Sequence, residues 1–188
     1  DVHHFKLTQN IRTMIHEDIK QIPRPIIGYI GTVFRWIDQD WIEYAAKEHT
    51  DYNFIFIGPV TTDISKIQKL SNVFFLGPKP YDSLPSFLKA FSVATIPFVI
   101  DGVTLKVSPI KFYEYLASGI PIVSTDLPDL KYFYDVVSLV NNKEDFCDQI
   151  KITIENDNNS LMLKRMKLAE SYSWEKRFNQ LNKSIESI

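Results

Sequence analysis

Lys111 and Glu114 are the two charged side chains in this chain whose spacing is best suited to chemistry. Residues three apart lie on the same side of a helix, so the ammonium and the carboxylate would face a common ligand. Ser108 and Pro109 directly precede them, and both residue types favour the start of a helix. The free N–H groups of a helix start attract anions. The pattern therefore predicts a site that holds an anion and a sugar hydroxyl together.

The element that positions this pair is a predicted helix with Ser108 as its N-cap and Pro109 as its first residue. An apolar face is predicted by helical spacing, and Gly119 is typical of the left-handed residue that ends a helix. The apolar run 120–124 then predicts a buried strand. The residues of the apolar face are Phe112, Tyr115 and Leu116.

Short apolar runs alternate with amphipathic segments along the whole chain, which favours a parallel sheet covered on both faces. We predict an α/β fold, a Rossmann-like parallel sheet of about six strands with helices on both faces. The predicted strands are 26–31, 53–58, 72–77, 93–97, 120–124 and 136–140. Besides the helix after Pro109, predicted helices cover 11–19, 39–48, 63–70, 82–91, 143–155, 160–172 and 174–188.

In parallel sheets of this kind, ligands bind outside the carboxyl ends of the strands. Three of these ends carry glycine, which lets a ligand approach the backbone, although glycine can also simply turn the chain. Asp101 and Asp126 lie in loops on the same side and are weaker candidates, since most loop aspartates only form turns. The strand ends read Gly31-Thr32, Gly58-Pro59, Gly77-Pro78, Pro97-Phe98 and Thr125-Asp126.

Composition narrows the classes of function. The formal net charge is -2 without a basic cluster, so nucleic acid is not an expected partner. Cys147 is the single cysteine and fits a small buried residue better than a nucleophile, which favours a reducing, cytoplasmic setting. The four histidines show no metal-ligand spacing, so no metal is expected. A dinucleotide fingerprint, a Walker loop and a Gly-x-Ser-x-Gly elbow are absent from the sequence.

Several stretches together resemble the C-terminal, donor-binding half of a GT-B glycosyltransferase of the large family 4, or glycosyl transferases group 1, which builds bacterial polysaccharides. The resemblance covers nearly the whole chain, and 109–123 is its most specific stretch. Residues 28–38, with Trp36 before Asp38, look like a subgroup that includes teichuronic-acid transferases. The remaining stretches are 1–5, similar to the interdomain linker, 25–31, 74–77 and 172–175.

The resemblance implies that Glu114 accepts hydrogen bonds from the nucleotide ribose and that Lys111 meets the diphosphate. Glu114, Lys106 and Lys111 would form the catalytic set, and residues 77–81 would border the base. The positions that the resemblance assigns to the nucleotide sugar are Gly31, Thr32, Arg35, Gly58, Gly77, Lys79, Tyr81, Ser108, Pro109, Ile110, Lys111 and Glu114.

Three positions depart from the family pattern. Lys106 stands where a second glutamate usually contacts the transferred sugar, and Thr32 and Ile37 replace an arginine and a lysine that clamp the diphosphate. Arg35 and Lys111 are cations that could substitute, although Arg35 could also only stack on its aromatic neighbours. Lys106 could meet the diphosphate, meet an acidic donor sugar, or be solvated.

The resulting expectation is a retaining hexosyltransferase that moves a sugar from a UDP- or GDP-linked donor to a polysaccharide or lipid-linked acceptor. It would need no cofactor besides this donor substrate. Residues 1–188 would be one donor-binding domain, with 1–24 as a linker or extension and 174–188 as a terminal helix. Its partner would be an N-terminal acceptor domain, without which it would not transfer sugar.

The full-length enzyme could associate peripherally with the inner face of a membrane. Two alternatives remain open from the sequence: a catalytically silent interaction module, and half of a nucleotide-sugar epimerase. A stripe on the last helix should be exposed, or used in dimerisation, where the partner domain is absent. It comprises Trp174, Phe178, Leu181 and Ile185.

Overall fold

The computed structural model describes residues 1–186. Its strands are β1 (Ile26–Ile30), β2 (Asn53–Ile57), β3 (Val73–Phe75), β4 (Val93–Ile96), β5 (Ile122–Thr125) and β6 (Ser138–Val140). Its helices are α1 (Val2–Lys6), α2 (Glu17–Lys20), α3 (Gln39–Glu48), α4 (Leu84–Leu88), α5 (Ile110–Ser118), α6 (Lys143–Asn156), α7 (Asn159–Ser171) and α8 (Trp174–Glu186). Short 3-10 turns cover Leu7–Gln9, Tyr81–Ser83, Thr104–Lys106 and Pro128–Phe133.

The six strands form one parallel sheet in the order β3-β2-β1-β4-β5-β6, which confirms the predicted fold class. From the central pair, β1 and β4, the chain order runs outward in both directions. Right-handed crossovers then place α3 and α5 on opposite faces of the sheet. In agreement, α3 packs with α6, whereas α5 packs with α1 and α7. The sheet therefore has a topological switch point between β1 and β4.

Burial explains why these segments are strands. Every residue of β1, β4 and β5 is buried, as is β2 after its first residue. Strands covered on both faces are apolar throughout, as the sequence pattern predicted. The single cysteine, Cys147, is buried on α6, as expected.

The predicted helix over residues 11–19 is wrong over 11–16, and only its end is helical, where α2 begins at Glu17. Ile11 and Met14 are 92% and 73% exposed, so their spacing does not mark a buried face. The Asn10 side chain instead accepts a hydrogen bond from the Arg12 N–H at 2.9 Å, and the Thr13 hydroxyl donates to the Leu7 carbonyl at 2.7 Å. These local bonds hold an irregular segment, because short polar side chains compete with the helix for backbone groups.

Two further helices differ from prediction. Residues 63–70 form turns, because the Asp63 carboxylate accepts from the N–H of Ser65 at 2.9 Å and closes a local turn. The helix predicted over 82–91 is a 3-10 turn followed by α4, which ends at Leu88. Residues 1–5, which resemble a linker, are helical here, and Phe5 is buried in the core. The end of the last predicted helix lies beyond the described residues.

Arg165 ties α7 to the end of α5. Gly119 is left-handed (φ 75°) as predicted, and its carbonyl accepts from Arg165 Nε and Nη2 at 3.0 and 2.8 Å. Arg165 Nη2 also donates to Asp157 Oδ1 at 2.6 Å, while its side chain is 3% exposed. The buried cation is therefore fully engaged in holding two helix ends together.

We expect Arg165→Met to lower the free energy of unfolding by about 3 kcal/mol, because it leaves the Gly119 carbonyl and Asp157 without their partner. Urea denaturation measures the loss. Lys164→Met is the matched control: its ion pair with Asp135 is about half exposed on both sides, so we expect a change below about 1 kcal/mol. Equal effects of the two substitutions would contradict a structural role for Arg165.

Over residues 1–186, no helix has both the length and the apolar character needed to cross a membrane.

Candidate functional site

A cleft of about 450 Å³ opens at the carboxyl ends of β1 and β4, beside the start of α5. This is the switch point of the sheet, where parallel α/β folds bind their ligands. The cleft joins a strand end, a loop and a helix start, so it offers both backbone and side-chain groups. It is lined by Ile30, Gly31, Trp36, Phe98, Val103, Thr104, Val107, Ser108, Pro109, Ile110, Lys111 and Glu114.

The start of α5 faces this cleft without a side-chain cap. Pro109, not Ser108, is the N-cap residue, so the predicted cap is shifted by one position. The first helical bond runs from the Phe112 N–H to the Pro109 carbonyl at 2.9 Å. Proline has no side-chain acceptor, and the first N–H groups of a helix have no partner within it. The N–H groups at Ile110 and Lys111 therefore remain available to an anionic ligand.

Lys111 lies between the helix start and the end of β1. Its Nζ is 5.2 Å from the ring centroid of Tyr29 and 4.9 Å from that of Phe98. Within residues 1–186 its ammonium makes no ion pair or hydrogen bond, and burial lowers its pKa to about 8, opposed by the charge of Glu114. A half-buried ammonium over two aromatic rings, with no anionic partner, is suited to receive an anion.

Glu114 lies one helical turn further on, in the same cleft. Burial raises the pKa of its carboxyl group, and the positive charges of the Asp1 amino group and of Lys111 oppose the rise. The two side chains share the cleft, as their spacing predicted, but do not form a salt bridge in the described part of the chain. Both remain able to contact a ligand, the ammonium with an anion and the carboxylate with hydroxyl groups.

Tyr115 fixes α5 against the sheet. Its ring is buried, and its hydroxyl accepts a hydrogen bond from the Ile30 N–H at 2.8 Å, at the last residue of β1. This bond sets the helix start against Gly31. The helical spacing predicts Tyr115 only as an apolar contact. The available sign of this hydrogen bond was a hydroxyl group on an otherwise apolar helix face.

Three glycines build the floor beside the cleft. Gly31 and Gly58 both have φ 140°, and a Cβ added to Gly58 would lie 2.2 Å from the Gly31 carbonyl oxygen. The Gly58 N–H donates to the Gly77 carbonyl at 2.9 Å, so the ends of β1 and β2 and the segment after β3 touch through their backbones. At Gly58 the glycine thus has a structural cause, which is the close approach of these strand ends, whereas at Gly77 the cause is the left-handed backbone (φ 67°).

Other predicted site residues lie outside this cleft. Lys79 pairs with Asp18 at 2.7 Å, and Tyr81 stacks on His4 with ring centroids 4.4 Å apart. Both side chains face the N-terminal segment. Arg35 is exposed, with its guanidinium 5.5 Å from the ring centroid of Phe34, which matches the stacking alternative.

The three departures from the family pattern have different surroundings. Ile37 is 3% exposed and belongs to the core, so that position cannot present a charge to the cleft. Thr32 directly follows Gly31, and its carbonyl accepts from the Tyr29 hydroxyl at 3.0 Å. Lys106 is exposed on the 3-10 turn that borders the cleft.

The weaker aspartate candidates have structural roles. The Asp101 carboxylate accepts from the N–H groups of Val103 and Thr104 at 2.8 and 2.7 Å and shapes the loop beside the cleft. These bonds lower the pKa of Asp101. Asp126 lies 3.8 Å from the Lys131 ammonium. No group of His, Cys, Asp or Glu side chains in residues 1–186 is arranged to hold a metal ion.

Residues 24–156 match the sequence profile of the family described as glycosyl transferases group 1. The chain belongs to this family. A relative of this chain is TuaH of Bacillus subtilis (strain 168), named as a candidate teichuronic acid biosynthesis glycosyltransferase. The two are 26% identical over 167 residues, which is 84% of this chain and 42% of TuaH.

Solved structures share the fold of this chain. It matches S. aureus TarM, solved with UDP as one of its ligands, with a TM-score of 0.62 and 20% identity over 82% of this chain and 35% of TarM. It matches Anabaena HepE, solved with UDP and glucose, with a TM-score of 0.66 and 14% identity over 88% of this chain and 49% of HepE. The chain thus spans less than half the length of each of these proteins.

Proposed function

We propose that this chain is the donor-binding half of a glycosyltransferase and that its cleft takes the diphosphate and ribose of a nucleoside diphosphate sugar. The observation that carries the proposal is the unpaired Lys111 ammonium beside an uncapped helix start at the switch point of the sheet, within the described residues 1–186. Glu114 lies on the same face, as the ribose contact requires. The structures of TarM and HepE, which contain UDP, support a nucleotide sugar as the ligand class.

In the proposed reaction, the bond between the sugar and the diphosphate breaks, and the nucleoside diphosphate departs with additional negative charge. The N–H groups at the start of α5 and the Lys111 ammonium would stabilise that charge. Glu114 would hold the ribose by accepting from its hydroxyl groups. Lys106, on the rim of the cleft, would meet the transferred sugar, and we keep retention of configuration as part of the proposal.

The acceptor site would come from an N-terminal domain, because TuaH and TarM are more than twice as long as this chain. The last helix supports this arrangement. Its four apolar side chains, Trp174, Phe178, Leu181 and Ile185, are 59–67% exposed, as predicted for a stripe without its partner. Residues 1–24 and 174–188 would then lie at the junction of the two domains. Association of the full-length enzyme with a membrane face stays part of the proposal.

Calorimetric titration with UDP, GDP and uridine tests the proposal. We expect a nucleoside diphosphate to bind and uridine to bind much more weakly, since the diphosphate meets the helix start and Lys111. Glu114→Ala should weaken binding by about 10- to 100-fold, the usual loss when charged hydrogen bonds are removed. Glu155→Ala is the matched control, an exposed glutamate on α6 that should leave affinity unchanged.

Absence of heat with both diphosphates would contradict the proposal and favour the silent interaction module. The same samples, given a UDP- or GDP-sugar and a lipid-linked acceptor, should form no product until an N-terminal domain is supplied. Transfer by this chain alone would contradict the assignment of the acceptor site to another domain.

A further inference from the structure

A second cleft, the amino-edge cleft, lies at the opposite edge of the sheet from the candidate donor site. Its volume is about 540 Å³, and it is bordered by residues one or two positions before three strands: Arg24 before β1, Ser92 before β4 and Pro121 before β5. Strands of four or five residues separate it from the donor cleft by roughly 15 Å.

The charges in this cleft favour an anion. Arg24 Nη2 donates to the Lys89 carbonyl at 2.6 Å, and Lys89 Nζ donates to the Asn10 carbonyl at 2.7 Å. Within residues 1–186, neither cation has a carboxylate partner. The one carboxylate of the lining, Asp157, is already paired with the buried Arg165. The cleft therefore carries two positive charges that, in the described part of the chain, only neutral carbonyl groups contact.

The end of α5 does not oppose an anion here. The last carbonyls of a helix carry partial negative charge, and Gly119 lines this cleft. Its carbonyl is taken by Arg165, and the Ser118 carbonyl accepts from the Gln9 side chain at 2.7 Å. Both carbonyls are thus satisfied by protein donors.

Thr8 supplies an independent sign of a ligand. The residue is 1% exposed, it lines the cleft, and its hydroxyl has no hydrogen-bond partner in the described part of the chain. Burying a hydroxyl without a partner costs free energy, so such groups are rare in folded proteins. A ligand that accepts a hydrogen bond in the cleft would satisfy it.

Part of the lining of this cleft is apolar. Ile15, Ile154 and Met162 line it and are partly exposed, whereas Phe91 and Ile120 are only 5% and 4% exposed. A cleft of this volume, with an apolar wall and a few polar groups, has the properties of a small-molecule site. A free inorganic anion would leave that wall unused.

We propose that the amino-edge cleft binds a small molecule that joins a phosphate or carboxylate group to an apolar body. The anionic group lies against Arg24 and Lys89 and accepts a hydrogen bond from Thr8, and the apolar body covers Ile15, Ile154 and Met162. The site is separate from the donor cleft and does not depend on its function.

Titration calorimetry with octyl phosphate tests the proposal, with 1-octanol and inorganic phosphate as matched probes. We expect octyl phosphate to bind at least tenfold more tightly than either matched probe. The double substitution Arg24→Gln and Lys89→Gln should weaken octyl phosphate at least tenfold. Arg12→Gln with Lys20→Gln removes two cations of the same N-terminal segment that do not line the cleft and should leave the affinity unchanged.

Thr8→Val separates binding from folding. It removes a hydroxyl that has no partner within residues 1–186 and keeps the shape of the side chain, so thermal stability should be equal or higher while octyl phosphate binds several-fold more weakly. Equal affinity of the wild type and the double variant, or equal binding of octanol and octyl phosphate, would overturn the proposal. Sedimentation with phosphatidylglycerol vesicles tests whether the anionic group belongs to a membrane lipid. The proposal would also be overturned if the wild type bound vesicles, the double variant did not, and octyl phosphate had no affinity for the wild type.

Discussion

Lys111→Met should make the protein more stable and, at the same time, abolish most of its affinity for a nucleoside diphosphate. Burial of the ammonium lowers its pKa from 10.5 to about 8, which corresponds to a cost of about 3 kcal/mol when the group is charged. Contact with the Tyr29 and Phe98 rings returns about 1 kcal/mol. We expect a net gain of about 1–2 kcal/mol in the free energy of unfolding at pH 7, measured by urea denaturation.

The gain should depend on pH in a defined direction. Between pH 8 and 10.5 the unfolded chain binds the proton of Lys111 more tightly than the folded chain does, so the stability of the wild type rises with pH. The cost of Lys111 is fully present below about pH 8 and is lost as pH approaches 10.5. The difference between variant and wild type should therefore vanish over this range, because all other titrating groups are common to both.

Lys106→Met provides the control for this experiment. Lys106 is exposed on the rim of the cleft, so its substitution should leave stability unchanged at every pH. The Lys111→Met variant should also bind UDP or GDP at least 30-fold more weakly than the wild type, through loss of a charge-assisted contact. A variant that is both destabilised and fully competent in binding would contradict the assignment of Lys111 to the anion.

Gly58→Ala should lower the free energy of unfolding by about 3 kcal/mol or more. The new Cβ would lie 2.2 Å from the Gly31 carbonyl oxygen, which belongs to backbone and cannot rotate away. The φ of 140° is in addition a conformation that alanine rarely adopts. Chemical denaturation measures the effect, and the strand ends that carry the cleft should separate.

Two other glycines separate the effect of the steric clash from the effect of the backbone conformation. Gly77 has φ 67° but no atom within 4 Å of its added Cβ, so Gly77→Ala should cost only about 1 kcal/mol of backbone strain. Gly102 has neither a positive φ nor a close atom, and Gly102→Ala should be neutral or stabilise by a few tenths of a kcal/mol. If Gly58→Ala lowered the free energy of unfolding no more than Gly77→Ala does, the strand ends would be able to move apart at little cost, which would contradict the prediction.

The fold could be predicted from the sequence because its strands are apolar on both faces. Residues 26–30 and 53–57 show no polar interruption on their buried sides, and the N-cap Asp38 begins α3 where its residue type predicts. The predictions of helices were wrong where hydrogen bonds from short polar side chains determine the backbone conformation. Asn10 and Asp63 close local turns, and helical spacing alone does not reveal that competition.

The site could be predicted only in part. The spacing of Lys111 and Glu114 predicted that both side chains lie on the same face, because this depends only on the geometry of a single helix. The side chains that shape the cleft across elements could not be found this way: Phe98 follows a different strand, and Tyr115 reaches the end of β1 through a hydroxyl bond. Lys79 pairs with Asp18, 61 residues away along the chain, and local sequence contains no sign of that contact.

The edges of the sheet limit how another domain can attach. The two outer strands, β3 and β6, are each three residues long, so they expose few free N–H and C=O groups. Short edges protect a sheet against pairing with a strand from another chain. A partner domain would therefore not extend this sheet by strand addition and would attach through helices and loops instead.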